Sequence, residues 1–598
     1  MKIVIGLLIG LHAFSSNDLL LRGEAFVEKL ECFLSTLAES LCDLFFEFTS
    51  FVNSTSRVIA EGGFTGCASC KNSLSTIKSA ARFSFLKPVI FEAAYEVCRI
   101  RGIHREVCRG ALHLYAPWFL KVLEDTDLKS KTQKFLPQLL CFSLDNTCEY
   151  PEEIVPDTLV FPPHKQVSAP KKERSNSKHL RILHLSDLHI DHKYTPGSEA
   201  DCGLPICCRT TKISNIKRPA NVWGDYNCDL APSMLKSMLD YIKTLPPLDL
   251  VIFTGDIPAH DVWNQTVATS TAIETATFKL LKSVFSPMNI PVIPAIGNHE
   301  TVPANNFSVG LGLPLYSTLA EMWSDWIPLE AQKTLKERGV YSTQVFPGLK
   351  VISLNTNMCY IMNFWLVSSL PSDGQDPNCI SHWLINELQA SEEKRENVYI
   401  IGHVPPSHPD CFPYWSDQFQ QIVNRYHHII SGQFYGHTHF DEFQLFYRSH
   451  VEKSRDTVLG VSYVAPSVTT FEHVNPGFRI YEVEPEKFQV YDSLTYYTDL
   501  EKVMNSTSEP VWGQEYSARK FYGIPLEESQ PLSAAWWHDV VSKIENENST
   551  LQAYYQFMYK KSRTGDICDA TCRNTILCDL KASNSSEACS TTTPVTRH

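Results

Sequence analysis

No stretch of this chain beyond its first sixteen residues is apolar for long enough to cross a membrane, which takes about 18 or more such residues in a row. Basic residues are not in excess either. Lys and Arg number 53 against 66 Asp and Glu, a formal net charge of −13, which excludes a nucleic-acid partner held by a basic surface. Charged residues make up only 20% against 43% hydrophobic, which excludes overall disorder. No repeat period is apparent, so the 598 residues are read as two to four unlike units of about 150 residues each.

What is abundant is histidine and cysteine. Protonating all 21 His would reverse the sign of the net charge, so acid changes the electrostatic character of this protein. Lys2, the apolar run 3–14 and the small residues Ser15 and Ser16 have the layout of a secretory signal, expected over 1–16. Nineteen Cys in such a chain imply disulfides, with at least one thiol left over. Six N-x-[ST] sequons, at Asn53, Asn264, Asn306, Asn505, Asn548 and Asn584, fit lumenal passage and glycosylation. A secreted or lysosomal protein is expected.

Residues 17–62 read as helical with no assignable role, and a bridge between Cys32 and Cys42 is open there. Residues 63–152 are helical and amphipathic and carry Cys67, Cys70, Cys98, Cys108, Cys141 and Cys148. Two Cys three apart near the start and two seven apart near the end suit nested bridges. A zinc or redox pair at Cys67-Ala-Ser-Cys70 is the alternative. This framework resembles a saposin domain. The resemblance implies Cys67–Cys148, Cys70–Cys141 and Cys98–Cys108 pairing and a helical bundle that opens an apolar face toward lipid. Four Pro and a short charged run mark 153–179 as a linker.

From 180 to 500 apolar strand candidates alternate with helices, as in a layered α/β domain. The candidates are 180–185, 248–254, 290–296, 350–354, 398–401 and 433–435. After about 500 the pattern turns helical and aromatic and ends in Cys568, Cys572, Cys578 and Cys589, so 501–598 is expected to be a helical Cys-rich C-terminal domain. Five polar motifs follow strands in order: Asp187-Leu-His189, Gly255-Asp256, Gly297-Asn298-His299-Glu300, Gly402-His403 and Gly436-His437-Thr438-His439. Ligands bind at such strand ends in open α/β sheets. One Gly-Asp or Gly-His pair is common, whereas five in order at strand ends carry weight.

This ordered set resembles the calcineurin-like metallophosphoesterases, which implies a four-layer α/β sandwich around two divalent ions. Two such ions clamp a phosphate and activate water. By resemblance Asp187, His189 and His439 hold the first ion, Asp256 bridges, and Asn298, His403 and His437 hold the second. The set lacks thiolate, which favours zinc, manganese or iron over cluster chemistry, and zinc is the expectation for an extracytosolic enzyme. His260 and His299 are not required as ligands and are expected to protonate the leaving group, a task suited to imidazole. His184 is read as core and His408 is left open.

Further segments narrow the resemblance to the acid sphingomyelinases. They are Cys202, Cys207, Cys208 and Cys228, the stretch 254–263, Asn363-Phe-Trp365, the stretch 465–470 and Asn475-Pro-Gly477. The resemblance implies hydrolysis of sphingomyelin to ceramide and phosphocholine at acidic pH; the histidine count adds the expectation that the protein, expected to be a monomer, docks on anionic lipid in acid. It further implies Cys202–Cys207, Cys208–Cys228, Cys359–Cys411, Cys568–Cys572 and Cys578–Cys589 pairing, with Cys379 over. Phe471 stands where tyrosine is expected. Related phosphodiesterases that act on nucleotides lack the saposin segment, and its presence weighs against them here.

Overall fold

The computed structural model describes residues 66–125, 133–145, 147–154, 159–163, 178–210, 215–308, 310, 312–368, 379–506 and 508–589. The expected signal, the segment 17–62 with Cys32 and Cys42, Asn53 and most of the linker lie outside the described residues. The backbone divides into two compact units, 1–97 and 98–598.

In the first unit the helix Cys67–Ala81 buries Cys70, Leu74, Ala80 and Ala81. Phe85 and Val89, just before the helix Lys87–Ile100 and in its first turn, remain 55% and 40% exposed. The expected saposin segment 63–152 continues beyond this unit, and its Cys67, Cys70, Cys141 and Cys148 are all disulfide-bonded. Its helices Arg105–Asp125 and Leu136–Asp145 belong to the second unit, where aromatic pairs secure them: Trp118 with Trp365, Phe119 with Phe364 and Phe142 with Phe412. Cys98 and Cys108 are bridged.

Two mixed sheets form the second unit. The first has the order β12-β11-β10-β1-β2-β3 and the second β4-β5-β6-β7-β9-β8. The strands are β1 Leu180–Leu185, β2 Leu250–Phe253, β3 Val292–Pro294, β4 Tyr341–Phe346, β5 Leu349–Ser353, β6 Asn397–Ile401, β7 Ile430–Tyr435, β8 Glu442–Tyr447, β9 Val458–Val464, β10 Gly477–Val483, β11 Val490–Tyr497 and β12 Gly513–Ser517. The runs β1–β2–β3 and β5–β6–β7–β9 are parallel. Such strands are covered on both faces and so read as unbroken apolar runs, as β2 and β5 do.

The sheets face each other through Phe434 of β7, whose ring meets His184 of β1 and Tyr481 of β10. Outside them lie helices, among them Pro232–Ile242, whose Tyr241 meets Phe478 and Tyr496, and Ala534–Asn546, whose Trp537 meets Phe443 and Tyr463. Helix, sheet, sheet and helix give the four layers of the calcineurin-like metallophosphoesterase fold. Strands β4 and β8–β12 lie outside the sequence-derived candidates. The expected boundary at 500 cuts the first sheet, because β12 pairs with β11 beyond it.

Bridges also join Cys202–Cys207, Cys208–Cys228, Cys359–Cys411, Cys568–Cys572 and Cys578–Cys589, and Cys379 is an exposed thiol. One sequon is corrected. Asn584 is 3% exposed and its amide donates to Gln420 Oε1 at 2.9 Å, which leaves no room for a glycan. Asn264, Asn505 and Asn548 are exposed and Asn306 is half-buried.

Candidate active site

The five polar motifs follow the carboxyl ends of β1, β2, β3, β6 and β7, so the two sheets deliver them to one edge of the sandwich. Close backbone approach there demands glycine. Gly255 has φ 95°, and a Cβ on Gly436 would run into Ser186 and Asp187. Asp187, His189, Asp256, His437 and His439 all adopt positive φ, between 40° and 75°. Side chains rarely hold this conformation, and a cluster of such residues marks a site that the surrounding structure over-determines.

Asp256 sits between the two halves. Its Oδ2 lies 3.3 Å from His189 Nε2 and 3.2 Å from His403 Nε2. On one side His439 Nε2 is 3.2 Å from His189 Nε2 and 3.7 Å from Asp187 Oδ1. On the other, Asn298 Oδ1 is 2.8 Å from His403 Nε2 and 3.1 Å from His437 Nδ1. Asn298 is oriented by donating from Nδ2 to Asn305 Oδ1.

Outer partners fix which imidazole nitrogen faces inward. His189 Nδ1 donates to the Pro258 carbonyl at 2.8 Å and His403 Nδ1 to the Thr254 carbonyl at 2.7 Å, so both direct Nε2 at the centre. His437 is reversed: Nε2 donates to Asp410 Oδ2 at 2.9 Å and Nδ1 faces Asn298. His439 has no such bond, and its Nδ1 is buried without a hydrogen-bond partner.

These donors fit divalent cations. His189 Nε2 and His439 Nε2 lie 3.2 Å apart, and about 3.3 Å is the spacing of two nitrogens around one tetrahedral zinc. Burial pushes the His189 and His403 imidazoles down, but Asp256 with its carboxylate neighbours overrides this and raises both to about 9. The cluster therefore calls for positive charge. Two triads, Asp187/His189/His439 and Asp187/Asp256/His403, converge closely enough to hold an ion, and His189, His260 and His299 form a third convergence.

His260 stacks on His189 with ring centres 3.7 Å apart, and Phe471 covers its other side at 4.3 Å. Its Nδ1 donates to Asp229 Oδ1 at 2.8 Å and its backbone N–H to Asp229 Oδ2 at 2.6 Å. Burial would raise the Asp229 carboxyl, but His260 and then His189 hold it down at about 2. His299 is half-buried beside them, its N–H donating to Asp256 Oδ1 at 2.9 Å. His184 is core, bonded to Thr254 Oγ1 and Tyr481 Oη. His408 lies on the Asp410 loop, its Nδ1 accepting from the Asp410 backbone N–H.

Sequence reasoning missed Asp229, Asp410 and Lys560. Lys560 is fully buried and its Nζ donates to the His439 carbonyl at 2.9 Å. Asp229 follows Cys228, and Asp410 precedes Cys411; an acid beside a bridged cysteine near the motifs was the only local signal.

Residues 180–441 match the family model of the calcineurin-like phosphoesterases, and residues 458–591 that of the acid sphingomyelin phosphodiesterase C-terminal region. The chain is 34% identical over 531 residues to sphingomyelin phosphodiesterase B of Dictyostelium discoideum, covering 87% of this chain and 80% of that protein. It is 33% identical over 533 residues to sphingomyelin phosphodiesterase 1 of Caenorhabditis elegans, covering 86% and 91%. A cyclic GMP-AMP phosphodiesterase of Rattus norvegicus is 30% identical over 416 residues, covering 67% and 88%. The calcineurin-like match together with the buried His/Asp cluster makes this centre a divalent-metal site.

Proposed function

The chain belongs to the acid sphingomyelin phosphodiesterase family, and from that premise we propose that it hydrolyses sphingomyelin to ceramide and phosphocholine at acidic pH with two zinc ions. One observation carries the reading: Asp256 lies within 3.3 Å of inward-facing imidazole nitrogens from both sheets, as a shared carboxylate must. Asp187, His189 and His439 would hold one ion and Asn298, His403 and His437 the other, with Asp256 common to both. When bound, such ions polarise the phosphoryl group and make water a hydroxide donor near neutral pH. Nitrogen and oxygen donors without thiolate suit zinc in an oxidising compartment.

The protein's own residues handle the proton. Cleavage expels an alkoxide, which leaves only if it is protonated. His260 is anchored through Nδ1 by the ionised Asp229, which fixes its ring and leaves Nε2 as the nitrogen available to act as the acid. His299, half-buried beside it with ring centres 4.8 Å apart, is the second candidate donor. Phe471 closes the outer side of His260 and restrains its ring.

A sphingomyelin headgroup lies in a bilayer, so the site needs a surface that enters lipid. We assign this to the saposin segment 63–152, whose exposed Phe85 and Val89 suit it. The same reading places a signal at 1–16, residence outside the cell or in lysosomes, and glycans on exposed sequons. No helix among the described residues is long and apolar enough to cross a membrane.

The test is hydrolysis of sphingomyelin liposomes against a soluble nucleotide diester at acidic and neutral pH, with and without chelator. Chelator-sensitive release of phosphocholine, fastest in acid, is expected. Preference for the nucleotide diester would move the protein to the nucleotide-acting branch.

A further inference from the structure

Of the four imidazoles around Asp256, three have their outward nitrogen satisfied: His189 by the Pro258 carbonyl, His403 by the Thr254 carbonyl and His437 by Asp410. His439 is the exception. Its Nε2 faces Asp187 and His189, so the neutral ring carries its proton on Nδ1, and that N–H is buried without an acceptor. Leaving a buried donor unsatisfied costs about 1–3 kcal/mol, and metal-binding imidazoles almost always donate their second N–H to an oxygen. The Glu472 carboxylate stands 3.9 Å from this nitrogen, just beyond hydrogen-bond range, with its side chain 44% exposed. Glu472 occupies a tight turn with φ 67°, and Arg563 fixes its carbonyl.

We propose that Glu472 is the positioning residue for His439: a side-chain rotation of about 1 Å brings Oε2 within bonding range of Nδ1–H. The carboxylate then fixes the tautomer and ring plane of His439 and increases the basicity of Nε2 toward the ion it shares with Asp187 and His189. This rests on the two-metal reading above, and it explains why an acidic side chain is held in a left-handed turn at the rim of the centre. The effect is confined to one ion, because His403 and His437 have separate outer partners.

The test compares full-length wild type, Glu472→Ala and Glu472→Gln, each loaded with zinc and exposed to a chelator while zinc release is followed. In Glu472→Ala one of two zinc equivalents should leave about 10–100-fold faster and the other at the wild-type rate. Glu472→Gln, whose amide oxygen still accepts a hydrogen bond, should restore most of the difference. On a soluble diester lacking choline, kcat should fall in Glu472→Ala with KM unchanged. Metal-free melting temperatures of the three proteins should coincide. Wild-type release of both equivalents in both variants overturns the proposal, as does equal acceleration of the two. A rise in KM for sphingomyelin alone, with zinc release unchanged, also overturns it and makes Glu472 a headgroup contact. A wild-type chain that takes up no zinc overturns the two-metal reading, and this inference with it.

Discussion

Glu274→Gln should stabilise the protein at neutral pH and leave its stability in acid unchanged. Glu274 lies on the helix Val267–Phe285, fully buried, with one carboxyl oxygen accepting from Ser270 Oγ at 3.1 Å and the other without a partner. Burial pushes its carboxyl up from 4.5 to about 7, and the Ser270 bond only partly offsets this. The folded state thus binds the proton more tightly than the unfolded state. The contribution of Glu274 is fully present below pH 4.5 and is lost as pH rises through about 7. At about 1.4 kcal/mol per decade, the loss is on the order of 3 kcal/mol above pH 7. Glutamine has the same shape and never ionises. Thermal melts of wild type and Glu274→Gln between about pH 4 and about pH 8 should therefore diverge with rising pH, by roughly 3 °C at the alkaline end, since an unfolding entropy of about 2.1 cal/mol/K per residue gives a unit of this size about 1 °C per kcal/mol. A constant offset, or one that shrinks as pH rises, would refute the reasoning. Glu442 and Asp579, also raised to about 7 by burial, act with the same sign.

Asp256→Asn should lose bound metal and all turnover, measured by metal content and phosphocholine release; near-normal activity would exclude a shared carboxylate. His260→Ala and His299→Ala should keep their metal and slow by about 10²–10⁴. Asp229→Asn should act in the same direction as His260→Ala, and the double variant should be no slower than His260→Ala alone. Replacing Phe85 and Val89 together by Asp should lower hydrolysis of bilayer sphingomyelin and spare a soluble diester. Co-sedimentation with anionic liposomes should be strong near pH 5, weak near pH 7 and reduced by salt, since imidazoles titrate around 6.5 and exposed charges are screened beyond about 8–10 Å.

The motifs were legible because each pairs an apolar run with an abrupt polar turn, a pattern local to a few residues. Strands β10 and β11 were not, because Gly477–Val483 and Val490–Tyr497 end in no such motif. β12 was hidden by the helical and aromatic sequence that surrounds it. At the site, spacing pointed to the imidazoles but not to their supports. Asp229 lies 31 residues from His260, Asp410 27 from His437 and Lys560 121 from His439, and only the fold joins them. The packing of Trp118 on Trp365 and of Phe119 on Phe364 was likewise invisible, since both read equally well as the apolar face of a free bundle.

The order of the strands has a consequence for synthesis. β1, central in the first sheet, pairs with β10, and Arg181 reaches Glu482 across 301 residues. His189 meets His439 across 250, and the support from Lys560 comes 121 residues later still. At about 5–20 residues per second, a ribosome that has released His189 needs roughly 10–50 s more to deliver His439. Throughout that interval β1 shows one unpaired edge, and Asp187 and Asp256 wait for imidazoles not yet made. A chain halted before β10 is made is thus not a slower enzyme but an unfinished sheet with an exposed edge, a substrate for chaperones and proteases rather than for lipid chemistry.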